Sequence, residues 1–222
     1  MSRYERQIPI VGEEGQAGIM GSRVGVAGCG GLGVNALTML VEAGVADYVV
    51  CDPAVPSIAD LNTQYIYAAG DKRPKCVICA EWVMALNYTA MVDARSEVID
   101  PETAAVFYGC NLVLDCLEDP AQSRALADWC LSVGVPVVRA SVDGNKGRVD
   151  VLVPGSPAPE PSGPGSSALG AGVAVVAGVQ AGEALRILAG RPAEARSLSV
   201  DLESWHIEAC RAPPARTRPP PG

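Results

Sequence analysis

Four glycines and one acid carry the clearest chemistry in this chain. Gly28, Gly30, Gly31 and Gly33 lie in RVGVAGCGGLGVNALTMLVEAGVADYVVCD, which runs from Arg23 to Asp52 and reads as strand, turn, helix and strand. The first glycine permits a tight turn, the second lets backbone approach a phosphate, and the third allows close helix-on-sheet packing. The helix that opens there presents unpaired N–H groups to anionic oxygens. Asp52 follows Gly33 by 19 residues, close to the spacing of about 20 at which an acid meets a ribose hydroxyl. A turn made glycine-rich for packing alone would not require the flanking strand, the helix and the spaced acid together. The chemistry implied is the binding of a nucleotide.

Other reactive residue types are weaker candidates. Cys76-x-x-Cys79 falls inside an expected helix, where positions i and i+3 share a face, so it reads as a core pair before a redox pair or half a zinc site. Tetrahedral zinc takes four ligands, and no second C-x-x-C occurs. Cys29, within the turn, and Cys116, at a strand end, read as buried structural thiols. His206, the only histidine, sits late in the chain in SWHIE and reads as structural.

The elements that must position these groups alternate in type. After a polar lead-in over 1–22, with Ile8, Ile10, Val11, Ile19 and Met20 available to pack a short helix, comes the strand–helix–strand unit of the glycine turn. Residues 53–69 have no clean period and read as loop. Lys75–Asn87 reads as an amphipathic helix offering Val77, Ile78, Trp82, Met84 and Leu86 for burial. A strand over Met91–Val98 follows, then NLVLDCL over Asn111–Leu117, an apolar run suited to a parallel strand covered on both faces. A helix over 119–133, strands from Pro136 and Gly147, a helix over Gly172–Ala189 and a closing strand SLSVDLE complete the order. The fold class expected is α/β, a Rossmann-like, doubly wound, mainly parallel sheet with helices on both faces. One domain over 1–210 is expected, with a mobile Pro/Gly/Ser loop at about 154–170 and a disordered tail over 211–222.

At 222 residues the chain suffices for one large domain, and its net charge of −8 argues against nucleic acid or an anionic membrane as partner. No leader pattern is seen, and the apolar run Gly170–Val179 is too short to span a bilayer. A cytoplasmic location is expected.

RYERQ at Arg3–Gln7, the GxGGxG turn, DLNTQ at Asp60–Gln64, RPK at Arg73–Lys75 and DCLED at Asp115–Asp119 occur in this order, followed by GVQAGEALRILAG. Together, over residues 3–190, they resemble the ThiF/MoeB/HesA family, relatives of the ubiquitin-activating enzymes. The resemblance implies ATP with magnesium, and AMP transfer to a carboxylate: the C-terminus of a ubiquitin-like or sulfur-carrier protein, or a small-molecule or peptide acid. It implies a homodimer in which Arg6 reaches the partner subunit's nucleotide. It assigns ribose binding to Asp52, nucleotide contact to Asn62, phosphate handling to Gln64 and Lys75, and magnesium to Glu118, with Asp119 as a further acid. Arg6, Lys75 and Glu118 are the catalytic candidates.

Departures from the family pattern are specific. Asp60 stands for an Asn and Thr63 for an Arg that clamps phosphate; Lys72 and Arg73 are candidate substitutes. Losing one preorganised oxyanion partner commonly costs about 10²- to 10³-fold in rate. The paired zinc cysteines of many relatives are missing, so no zinc is expected, and Ser166 and Ser167 stand where some relatives carry a reactive Cys. Two other readings remain: a catalytically weak or inactive scaffold partner of a biosynthetic enzyme, and an NAD- or FAD-dependent oxidoreductase, for which no Tyr-x-x-x-Lys pair is present.

Overall fold

The computed structural model describes residues 3–163, 165 and 167–211. Ser166 and the tail beyond Arg211 lie outside the described residues. One sheet holds eight strands in the spatial order β3 (Met91–Arg95), β2 (Asp47–Cys51), β1 (Arg23–Ala27), β4 (Leu112–Asp115), β5 (Val137–Asp143), β6 (Lys146–Leu152), β7 (Arg196–Asp201) and β8 (His206–Arg211). The first five are parallel neighbours, and β5 to β8 pair antiparallel. The expected doubly wound, mainly parallel sheet is therefore present, and it continues into an antiparallel extension.

Helices cover both faces. α1 (Ile8–Met20), α2 (Gly31–Ala43), α3 (Lys75–Leu86) and α5 (Gly170–Leu188) pack one side against a core that includes Val24, Val26, Leu40, Cys79 and Val176. α4 (Pro120–Ser132) and a 3₁₀ turn over Thr103–Phe107 cover the other with Leu126 and Phe107. All four residues of β4 are buried, as an apolar run covered on both faces demands. Gly25 seats the chain's only Phe, since a Cβ there would lie 2.5 Å from Phe107 Cδ1.

Several expectations need correction. The sheet does not close on SLSVDLE: β8 pairs outside β7, an edge strand too polar in its side chains for hydrophobic patterning to reveal. The lead-in folds as a 13-residue helix broken at Gly12, where φ is +80°. Ile19 is buried there, but Ile10 and Met20 are exposed, and the polar Gln16 fills the inner face by donating to Ala43 O. Residues 53–69 contain a 3₁₀ turn at Ile58–Asn62. Cys76 and Cys79 form the buried face of α3 while Met84 faces outward; small thiols fit against the sheet where Met84 does not reach. The run Gly170–Val179 belongs to a 19-residue helix, long and apolar enough to cross a bilayer by composition. Its Val176, Ala177, Ala181 and Ala184 are instead spent on the core.

Candidate active site

Strand order reverses between β2–β1 and β4, and in open α/β sheets such a switch point opens a crevice at the strands' carboxyl ends. The glycine turn lies there. Gly28 has φ +90°, the left-handed region that favours glycine, and a Cβ on it would stand 2.7 Å from Cys116 O. A Cβ on Gly33 would be 2.0 Å from Gly28 O, so the third glycine lets the first turn of α2 fold down onto the turn itself. At Gly30 a Cβ would meet nothing within 4 Å; this face is open to the crevice. α2 begins without a side-chain cap, leaving its first N–H groups for a ligand.

Two cavities meet at this turn. The first, about 390 Å³, runs from Gly28 and Asp52 past Lys75 to Glu118 and Asp119. The second, about 280 Å³, runs from Gly31 past Asn62 and Thr63 to Ser141, Ser162 and Ser167. They share Gly30, Asp60, Gln64, Cys116, Leu117 and Glu118. Asp52, Gln64, Lys75, Glu118 and Asp119 are thus brought together in the first, and Asn62 lies in the second.

Each side chain has a defined anchor. The Asp52 carboxylate accepts from Cys29 N–H at 2.7 Å and from Ala54 N–H at 2.8 Å, tying the end of β2 to the turn. A carboxylate has about four acceptor sites, so two remain for hydroxyls. Lys75 begins α3 almost fully buried, with Nζ 3.1 Å from Asp60 Oδ2 and 5.6 Å from the Tyr67 ring. Gln64 donates to the other Asp60 oxygen at 2.9 Å. Burial alone would raise the Asp60 carboxyl, but the Ser57 N–H and Lys75 hold it below its ordinary value. Glu118 is exposed at the junction. Asp119 caps α4, accepting from Ala121 N–H at 2.8 Å, so one of its oxygens is already committed to the helix.

Other candidates lie elsewhere. Arg73 is exposed and bound to Asp71 at 2.7 Å and Glu81 at 2.6 Å; Lys72 is exposed, and neither lines either cavity. The acids at positions 71 and 81 claim the guanidinium, which sequence spacing alone did not reveal. Arg6 is exposed ahead of α1 and lines neither cavity. Cys29, Cys76, Cys79 and Cys116 are buried free thiols. Burial pushes Cys116 up to about 12, which keeps it protonated and a poor nucleophile although it borders both cavities.

Sequence reasoning missed Arg139. It lies on β5 with 4 % exposure, and its Nε donates to Asp115 Oδ2 at 2.9 Å. Ser123 Oγ donates to the same oxygen at 2.5 Å. The signal was available: an arginine inside the apolar strand PVVRASV must have a buried partner.

A doubly wound sheet with a glycine turn and two cavities joined at its switch point has the architecture of a nucleotide-binding fold. The ThiF family model matches residues 4–220, and the chain belongs to that family. It is 31% identical over 237 residues to the SAMP-activating enzyme E1 of Haloferax volcanii, covering 99% of this chain and 87% of that protein. It is 28% identical to the Escherichia coli sulfur carrier protein ThiS adenylyltransferase, with 94% and 91% covered. It is 34% identical to the adenylyltransferase and sulfurtransferase UBA4 of Yarrowia lipolytica over 67% of this chain, but spans only 38% of that longer protein. Among solved structures, E. coli MccB with ATP superposes with a TM-score of 0.82 at 14% identity, over 97% of this chain and 73% of that one.

Proposed function

We propose that this chain is an ATP-dependent adenylyltransferase that activates a carboxylate as its acyl-adenylate. The observation that carries this is the joining of two unlike cavities at Gly30, Asp60, Gln64 and Glu118. One holds the glycine turn, Asp52 and Lys75 and suits a nucleotide; the other, apart from the shared Asp60 and Glu118, is lined by neutral residues, many of them small, and suits an acyl chain. In this reading the substrate's carboxylate oxygen attacks the α-phosphorus, the bond from that phosphorus to the bridging oxygen breaks, and pyrophosphate leaves with its electron pair. The carboxylate is the nucleophile, so no activated serine or cysteine is needed. The named relatives act on sulfur carriers or bear adenylyltransferase names, which favours a carrier-protein C-terminus or a small or peptide acid as substrate.

Charge supports a metal and a partner. Five carboxylates, Asp52, Asp60, Glu97, Glu118 and Asp119, and a single cation, Lys75, line the nucleotide cavity. A triphosphate entering it requires added positive charge. Magnesium usually binds through one or two carboxylates plus substrate phosphates; Glu118 and the second oxygen of Asp119, which here accepts only a long 3.4 Å bond from Gln122 Nε2, fit that demand, and the ion would neutralise charge developing on the leaving group. Arg6 from a second copy would supply the other cation, making the working unit a homodimer, and a cytoplasmic location accords with an ATP-consuming enzyme. The Gln64 amide and the α2 N–H groups would orient the phosphates.

Calorimetry with ATP and magnesium against NAD tests the nucleotide assignment. ATP with magnesium is expected to bind more tightly; micromolar NAD binding with no ATP binding would contradict it. Arg6→Ala should abolish adenylation in a folded protein, and mixing it with Lys75→Ala should restore part of it through hybrid sites. No recovery on subunit exchange would exclude action across a dimer.

A further inference from the structure

The segment 153–169, between β6 and α5, forms one wall of the second cavity through Ser162, Gly163, Gly165, Ser167 and Ala168. A Pro-, Gly- and Ser-rich segment has little apolar surface with which to hold itself down, so its place depends on specific bonds. Near its far end, Gly144 N–H donates to Ser167 O at 2.8 Å. Along its length, the Arg124–Glu160 ion pair and the 3.1 Å Ser141–Ser162 hydroxyl contact are solvent-exposed and contribute little. One part-buried bond is different in kind, because its donor is a buried charge: Arg139 Nη1 donates to Pro159 O at 3.0 Å.

That guanidinium is itself fixed. Its Nε donates to Asp115 and its Nη2 to Ser123 O at 3.3 Å, while Asp115 Oδ1 accepts from Leu117 N–H at 3.2 Å. Leu117 and its neighbour Glu118 border both cavities. One planar fork thus joins the turn after β4, the start of α4 and the segment over the second cavity, with three separate donors that a lysine cannot reproduce.

We infer that Arg139 is a positioning residue that pins the 153–169 segment over the acyl cavity and registers it to the nucleotide crevice through Asp115. It touches neither reactant. Its role is to keep the neutral wall in place so that the substrate's carboxylate reaches the junction at the correct height. This inference rests on the assignment of the second cavity to the acyl substrate only in its kinetic consequence; the pinning is independent of it.

Hydrogen exchange of the segment, read with pyrophosphate-exchange kinetics, tests both parts. Wild-type amides between 155 and 167 should exchange well below the rate of a free peptide; free-peptide rates would overturn the pin. Arg139→Lys keeps a charge beside Asp115 but loses the fork, so exchange in the segment should quicken by about tenfold or more, as for loss of one charge-assisted hydrogen bond. In the same variant KM for the carboxylate should rise by a similar factor while kcat and KM for ATP stay within about twofold. Should Arg139→Lys fail to fold, Asp115→Asn with Arg139→Met removes both charges of the pair, and segment exchange alone is read. A folded variant whose segment exchanges as in wild type overturns the inference. A quickened segment with unchanged KM leaves the pin and removes its link to substrate, while a wild-type protein silent with every acid refutes the adenylation reading but not the pin.

Discussion

The two cavities share six residues and are anchored differently. The nucleotide crevice is anchored by bonds between the motif segments that line it: Asp52 accepts from Cys29 N–H, and Lys75 at the start of α3 has its backbone N–H on Ala54 O at 2.7 Å. The second cavity is anchored from behind, with Arg139 donating to Pro159 O and Gln180 on α5 donating to Val138 O at 2.8 Å; these four residues do not line it. Both linings carry the shared Asp60 and Glu118, but only the first holds a cation, Lys75. The crevice is thus anchored largely by residues that line it, and the wall of the second cavity is set by residues that do not.

Substitutions can break or sharpen this contrast. Lys75→Ala removes the one cation lining the crevice and should lower pyrophosphate exchange by about 10²- to 10³-fold, with any acid as co-substrate; an effect confined to one acid would mean that Lys75 serves the second cavity. Gly33→Ala should cost about 1–3 kcal/mol in thermal or denaturant unfolding, because the added methyl meets Gly28 O at 2.0 Å. It should weaken ATP more than the carboxylate, and a variant of unchanged stability would mean the turn has slack that the structure does not show. Asp60→Asn frees Lys75 from a competing carboxylate and should tighten ATP about threefold in a direct binding measurement. Weaker binding there would show that Asp60 serves as a metal ligand instead of a competitor. Lys72→Ala and Arg73→Ala should each change exchange by less than about twofold, because the exposed Arg73 is engaged with Asp71 and the exposed Glu81 and surface pairs contribute little; a large loss from either would restore them as stand-ins for the family arginine at Thr63.

What was legible in the sequence follows the same division. The strand–turn–helix unit, the spacing to Asp52 and the apolar runs of β4 and β5 are local signals, and the parallel half of the sheet follows from them. Lys75 and Glu118 came from short motifs and both line the crevice. β8 escaped because it is an exposed edge strand with no hydrophobic pattern: His206, Ile207, Glu208 and Ala209 are all exposed. Arg73, a candidate stand-in for the family arginine, is engaged by Asp71 and Glu81, neighbours on a surface that spacing does not describe. Asp60 shows the limit most clearly: its identity as a departure was visible, but its ion pair with Lys75, 15 residues on, exists only once the 3₁₀ turn at Ile58–Asn62 sets its carboxylate over α3. Arg139 had a sequence signal in its apolar surroundings, yet nothing along the chain named Asp115 and Pro159 as partners.

Exchange of labelled pyrophosphate into ATP, with magnesium and a panel of carboxylates, tests the central claim most directly. The panel should include a sulfur-carrier protein ending in Gly-Gly, a short peptide acid and small aromatic acids. The account predicts exchange with at least one of them, dependent on both the acid and magnesium and lowered about 10²- to 10³-fold by Lys75→Ala. A folded protein that binds ATP yet gives no exchange with any acid would contradict it, and would identify the chain as a nucleotide-binding scaffold.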